Sequence, residues 1–317
     1  MRLQKAAIIG MGHVGAHIMY ALAVQGLVDE IVLVDSNEQK AVSECQDLFD
    51  TVPMLPRRVR VRTGSYEDAA ACDVIFHSAG KITLLIGNED RTSELRFTIP
   101  TVHTWVDRVR EAGFKGFVIN ITNPCDVVTR EIALNLGLPE GHVFGTGTGL
   151  DTNRLIARLS EATEMDAQSI TAFMLGEHGN SQFAPWSCVS FRGMPLSVLA
   201  EQDERFRFDH DELEHKAIRG GWYTFAGKHC TEYAIATTAV RMAQAIQYDE
   251  KLIMPASTLL KGEYGEKDIF VGVPAVIGAN GVEKVMELPL TDEEKAKFHS
   301  CCDSIRKNMA LADSLEK

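Results

Sequence analysis

No stretch of this 317-residue chain approaches the roughly 20 consecutive apolar residues needed to cross a membrane, so a transmembrane role is not expected. Basic charge is in deficit: 32 Lys and Arg against 44 Asp and Glu give a net charge of -12 and a pI near 5.3. Such a surface repels nucleic acid and anionic lipid, and neither is expected as a partner. The seven cysteines are an odd number, and none are paired as C-x-x-C. That usage excludes a disulfide framework and the common zinc spacings, and predicts free thiols in a reducing, cytoplasmic compartment with no bound metal. Cys125 follows Asn123-Pro124, but no histidine can be assigned to activate it, so it reads as a small buried residue. The start Met1-Arg2-Leu3-Gln4-Lys5 runs directly into an apolar strand pattern, leaving no room for a leader's apolar segment. Repeats, low-complexity tracts and long linkers are also lacking.

The first 145 residues alternate two patterns. Apolar runs recur at 6–10, 31–34, 59–62, 73–77, 117–121 and 142–144, with amphipathic stretches such as 14–26, 38–49, 95–111 and 127–136 between them. Six strands with crossover helices predict an α/β fold, a Rossmann-type doubly wound parallel sheet. The segment 66–71 is too short to predict a helix. The remainder reads as an α+β substrate domain: a helix near 148–161, a strand at 170–175, and a hairpin of 187–191 with 194–198 about Arg192-Gly193. Helices at 210–225 and 231–247 follow, then strands near 252–260, 268–273 and 275–277, and a closing polar helix at 291–314. The expected division is 1–145 for a nucleotide-binding domain and 146–317 for a catalytic one.

The chemistry starts at Gly10-Met11-Gly12-His13-Val14-Gly15, a G-x-G-x-x-G pattern between a strand and a helix. The first glycine permits the turn, the second lets backbone approach a pyrophosphate, and the third lets helix pack on strand. Met11 and Val14 lie within the same turn, where the helix N-terminus offers amide donors and a positive dipole end. His13 reads as a solvent-facing filler. Asp35 ends the second strand roughly 20 residues further on, where a carboxylate accepts from ribose hydroxyls and repels a 2′-phosphate. NAD is therefore expected rather than NADP. Read alone, Asp35 equally suits a helix cap near Asn37.

Further along come Leu150-Asp151-Thr152-Asn153-Arg154 and Gly176-Glu177-His178-Gly179. Asp151 and Arg154 lie three apart on one helical face, which equally describes a surface ion pair. His178 by itself reads as a structural histidine. Reduction of a 2-oxo acid requires such groups together: arginine as a planar fork for the carboxylate, histidine as a proton donor near neutrality, and a carboxylate to orient that histidine.

Five motifs in order resemble the L-lactate/L-malate dehydrogenase family over essentially the whole chain. They are Gly10–Gly15, Ser78-Ala79-Gly80, Ile121-Thr122-Asn123-Pro124-Cys125-Asp126, Gly145 to Arg154, and Gly176 to Gly179. The resemblance implies catalytic roles for His178, Asp151 and Arg91, the last on a closing loop, 81–91. It implies substrate contacts from Arg154, Arg91, Asn123 and Thr231. It implies NAD contacts from Ala79, Gly80, Thr122 and Asn123 in addition to the fingerprint and Asp35, and a homo-oligomer, dimer or tetramer.

The family's malate enzymes carry a further arginine on the closing loop. Here the loop reads Lys81-Ile82-Thr83-Leu84-Leu85-Ile86-Gly87-Asn88, so a dicarboxylate is disfavoured, with Lys81 the only nearby cation. Gly220-Gly221 stand where lactate enzymes carry larger residues, which predicts room for a branched or aromatic side chain. The local match is with the L-2-hydroxyisocaproate dehydrogenase branch, the alternative being a lactate enzyme. Three extra buried carbons are worth roughly 2 kcal/mol, or about 30-fold in selectivity. His77 replaces the family's usual aliphatic residue and His229 its usual glycine. Ile156 and Thr171 stand at the matching positions of an arginine and a histidine that bind an activating sugar bisphosphate in some relatives, so such activation is not expected. The rival readings are a nucleotide-binding protein without catalysis and an NAD-dependent glycosidase, for which Cys125 stands in the wrong order.

Overall fold

The computed structural model describes residues 3–85 and 91–315, and for Ile82, Leu85, Arg91 and Thr92 the side chains lie outside that description. The chain runs β1 (Lys5–Ile9), α1 (His13–Gln25), β2 (Glu30–Val34), α2 (Glu38–Thr51), β3 (Arg60–Thr63), α3 (Tyr66–Ala70) and β4 (Val74–His77). It continues with α4 (Leu95–Glu111), β5 (Phe117–Asn120), α5 (Cys125–Leu136) and β6 (Val143–Gly145). The six strands are parallel in the order β6-β5-β4-β1-β2-β3. Strands β4, β5 and β6 are buried along their whole length because helices cover both faces, which is why they read as unbroken apolar runs. On α4 the buried Leu95, Ile99, Val102, Trp105, Val106 and Val109 recur at helical spacing and pack on the sheet. The order reverses between β1 and β4, and the crevice outside their carboxyl ends is where such sheets bind ligands.

The second half brings α6 (Gly149–Thr163), β7 (Ile170–Thr171), β8 (Ser190–Phe191), β9 (Met194–Pro195), α7 (Leu196–Gln202), α8 (His210–Lys228) and α9 (Tyr233–Gln247). Then come β10 (Leu252–Lys261), β11 (Lys267–Gly278), β12 (Gly281–Val285) and α10 (Asp292–Asp313). Strands β10 to β12 continue the first half's sheet: β10 lies antiparallel to β6 through Ser257 and Gly145, making nine strands. Strands β7, β8 and β9 form a separate small sheet.

Several local expectations are corrected. The segment 66–71 does hold a short helix, because Ser65 and Asp68 form a reciprocal capping box. The strand expected at 170–175 is cut to Ile170–Thr171; beyond it, Leu175 and Gly176 pair singly with Phe183 and Gly272. The hairpin about Arg192-Gly193 is present but two residues long on each side, since Leu196 begins a helix. The two strands expected at 268–273 and 275–277 are one, as Pro274 sits within β11 without ending it.

Candidate active site

The turn after β1 is shaped by steric demand. Gly10 has φ +97°, and a Cβ there would lie 2.6 Å from the Ala79 nitrogen. At Gly15 a Cβ would lie 2.0 Å from the Gly10 oxygen, so α1 packs against the turn only because that atom is missing. Gly12 caps α1 without any side-chain cap, and a Cβ on it would meet nothing within 4 Å. An open space in front of an uncapped helix N-terminus is a cradle for a pyrophosphate. Asp35 reaches this turn from the end of β2: its carboxylate accepts the Met11 N–H at 2.6 Å and the Asn37 N–H at 2.8 Å. The capping role and the ribose role are compatible, because each oxygen retains a lone pair.

From the turn an open cleft of about 890 Å³ runs toward the second half. It is lined by Gly12, Val14 and Gly80 on the nucleotide side and by Asn123, Arg154, His178 and Thr231 further in. Asn123 Oδ1 is buried and has no partner among the described residues, an acceptor facing this cleft that a ligand donor would satisfy. The residues present therefore fit a bound dinucleotide with a small substrate beside it.

Asp151 lies in the first turn of α6, fully buried. It accepts the His178 Nδ1–H at 2.5 Å on one oxygen and the Arg154 Nη1–H at 2.9 Å on the other. His178 is held from behind as well: its backbone N–H donates to Asp126 Oδ2 at 3.1 Å, and the Ser257 hydroxyl donates to Asp126 Oδ1 at 2.5 Å. Burial pushes the Asp126 carboxyl up to about 7. Asp126 and Ser257 are not legible as site residues, because Asp126 holds His178 through its backbone N–H and Ser257 reaches Asp126 from β10 across the sheet. Cys125, beside Asp126, is buried with its thiol pushed up to about 12 by that burial, which removes it as a nucleophile.

The other sequence candidates fall as follows. Thr122 is buried beside Asn123, and Ala79 sits against Gly10. Gly220 is on α8 facing Arg154: a Cβ there would lie 3.2 Å from Arg154 Cδ. Neither Gly220 nor the buried Gly221 is among the described residues lining the cleft. The Lys81 ammonium lies over the Phe97 ring, 5.5 Å from its centroid. The Arg91 side chain and residues 86–90 of the expected closing loop lie outside the described residues. His77 is fully buried against Trp105, its Nδ1 2.9 Å from Asn120 Oδ1. His229 ends α8 with φ +60°, the left-handed position at which glycine is favoured.

Fold and site together define a Rossmann-type dehydrogenase. The lactate/malate dehydrogenase NAD-binding domain model matches residues 4–145, and the family's alpha/beta C-terminal domain model matches 148–316. An L-lactate dehydrogenase of Fusobacterium nucleatum is 39% identical, covering 99% of this chain and 98% of its own. L-lactate dehydrogenase 1 of Bifidobacterium longum is also 39% identical, over 97% of this chain and 98% of its own. Among solved structures, the ligand-bound minor L-lactate dehydrogenase of Enterococcus mundtii superposes with a TM-score of 0.91 at 32% identity, covering 98% of each chain. A lactate dehydrogenase from a Medee basin deep-sea metagenome gives 0.93 at 30%, over 99% of this chain and all of its own. The chain belongs to the lactate/malate dehydrogenase family and is an NAD-dependent 2-hydroxy acid dehydrogenase.

Proposed function

We propose that this enzyme interconverts 2-oxo and L-2-hydroxy monocarboxylates with bulky apolar side chains, of the L-2-hydroxyisocaproate type. The observation that carries the core of this reading is the shared carboxylate of Asp151, which aligns His178 and Arg154 at one cleft wall. Arg154 grips the substrate carboxylate with the guanidinium nitrogens that Asp151 leaves unused. His178, its Nδ1–H engaged by Asp151, gives a proton from Nε2 to the carbonyl oxygen during reduction and takes it back during oxidation. Asp151 stabilises the charged imidazolium in between, as a triad carboxylate does. Asn123 accepts from the nicotinamide side or the substrate hydroxyl, and Thr231 bounds the pocket. Arg91 polarises the carbonyl on loop closure. NAD, when bound, supplies the hydride chemistry; Gly10, Met11, Gly12, Val14, Gly15, Asp35, Ala79, Gly80 and Thr122 hold it. Residues 1–145 serve the cofactor and 146–317 the substrate.

Two observations support an apolar monocarboxylate. Ile121, Leu150 and Ile235 line the cleft, and Arg154 is the only lysine or arginine among its described lining residues. Lys81, the one candidate for pairing a second carboxylate, is engaged over Phe97. The names of the relatives favour a second reading, pyruvate and lactate as the substrate pair. Initial rates with NADH and pyruvate, oxaloacetate, 2-oxoisocaproate or phenylpyruvate decide between them. Higher kcat/KM for the two bulky acids is expected; a pyruvate preference would make this a lactate enzyme, and an oxaloacetate preference would overturn the monocarboxylate assignment.

We also assign it to the cytoplasm, on its seven free cysteines, and to a homodimer or homotetramer, on exposed apolar side chains such as Phe49 and Met54. No helix among the described residues is long and apolar enough to cross a membrane. Light scattering on the eluted enzyme reads the assembly, and a monomer would remove that assignment.

A further inference from the structure

His13 is far in sequence from Cys230 and Glu232, but the three meet at the edge of the cofactor cleft. His13 opens α1, while Cys230 and Glu232 flank Thr231 in the turn between α8 and α9. Glu232 Oε2 lies 3.1 Å from His13 Nδ1 and 3.3 Å from Cys230 Sγ. The three donor atoms all lie within 4.8 Å of one another. Lys228 pairs with the other carboxylate oxygen, Oε1, which leaves Oε2 turned toward the nitrogen and sulfur.

These separations have a physical meaning beyond hydrogen bonding. A tetrahedral zinc ion with nitrogen and oxygen at about 2.0 Å and sulfur at about 2.3 Å spaces its ligand atoms about 3.3 to 3.5 Å apart. Two of the three edges are within a few tenths of an ångström of that without any movement. One imidazole, one thiolate and one carboxylate form a set that selects zinc-class ions over magnesium or calcium, which prefer all-oxygen shells. His17 Nδ1 lies 3.5 Å from the same Glu232 Oε2, but it donates to the His13 carbonyl at 2.7 Å and so offers no lone pair as a fourth ligand.

We propose that His13, Cys230 and Glu232 bind one divalent transition-metal ion of the zinc class at the cofactor cleft, and that the bound ion competes with NADH. The competition follows from position. His13 stands between Gly12 and Val14 of the phosphate-binding turn, and both His13 and Cys230 line the cleft. An ion held there ties the start of α1 to the α8–α9 turn across the path of the dinucleotide.

The test uses the full chain stripped of metal by a chelator. Co²⁺ serves as the probe, because a cobalt–thiolate bond gives a charge-transfer band in the near ultraviolet. The expected results are one equivalent bound in equilibrium dialysis, the thiolate band, and displacement by Zn²⁺. Zn²⁺ should raise the apparent KM for NADH several-fold, reversibly with chelator, and leave the KM for the 2-oxo acid unchanged. Cys230→Ser should abolish the band, and Glu232→Gln and His13→Asn should weaken binding by about tenfold or more. His13 has a side chain that is 69% exposed, so its replacement leaves packing intact. Absence of the thiolate band, its survival in Cys230→Ser, or zinc inhibition that NADH does not relieve would overturn the proposal. Turnover of the metal-free enzyme stands apart from each of these outcomes, so the dehydrogenase reading survives their failure.

Discussion

His178 and Arg154 are bonded to opposite oxygens of a single buried carboxylate, Asp151, at 2.5 Å and 2.9 Å. Proton donor and carboxylate anchor thus share one positioning group, and neither can be displaced without loosening the other. Asp151→Asn keeps the shape but offers one acceptor in place of two. We expect kcat to fall by roughly 10²- to 10⁴-fold together with a raised KM for the 2-oxo acid, while KM for NADH stays near its starting value. Steady-state kinetics with each substrate varied check this; a loss seen only in NADH binding would contradict the shared role.

Gly220→Ala should act through Arg154. A Cβ at 3.2 Å from Arg154 Cδ is tighter than ordinary contact, and the arginine is anchored to Asp151 and has little freedom to yield. A misplaced grip weakens ground state and transition state alike, so KM for every 2-oxo acid should rise by about tenfold. If instead the substitution leaves small acids untouched and penalises only bulky ones, Gly220 acts as a pocket wall.

His77 makes acid stability testable. Burial lowers its pKa to about 4, so it stays neutral in the fold, whereas the unfolded chain takes up its proton near pH 6.5. Between those values the unfolded state binds more protons, and stability falls as pH falls. In His77→Leu this loss disappears, and Asn120 Oδ1 still accepts the Thr122 N–H at 3.1 Å. Relative to pH 7, the wild type should lose about 2 kcal/mol more than the variant by pH 5, read from urea unfolding midpoints. Parallel pH profiles would show that His77 is charged in the fold.

His229 occupies a left-handed backbone position that costs a side-chain-bearing residue about 1 kcal/mol relative to glycine. His229→Gly should raise the melting temperature by roughly 2 °C. Its ring does not line the cleft among the described residues, so turnover should change little. A lowered melting temperature would mean that the ring's contact with Phe225 outweighs the strain.

Whatever is written in local spacing can be read from the chain alone. The parallel core follows from apolar runs of strand length between amphipathic helices, because burial on both faces leaves that pattern. The glycine turn was legible because its three glycines keep a fixed local spacing and Gly15 is demanded by the nearby Gly10 carbonyl, whereas the contact that demands Gly10, with Ala79 after β4, is tertiary. Asp151 and Arg154 were legible as a pair, since three residues place them on one helical face. Tertiary structure alone decided what those residues meet. It joined Asp151 to His178, extended the sheet through β10, and set Ser257 behind Asp126 to hold the His178 backbone. It turned Gly220 toward Arg154, where its missing side chain gives space to the anchor, and gathered His13, Cys230 and Glu232 at one cleft edge. Each of these depends on distances between segments remote in the chain, which spacing does not encode, and on packing that only the complete fold imposes.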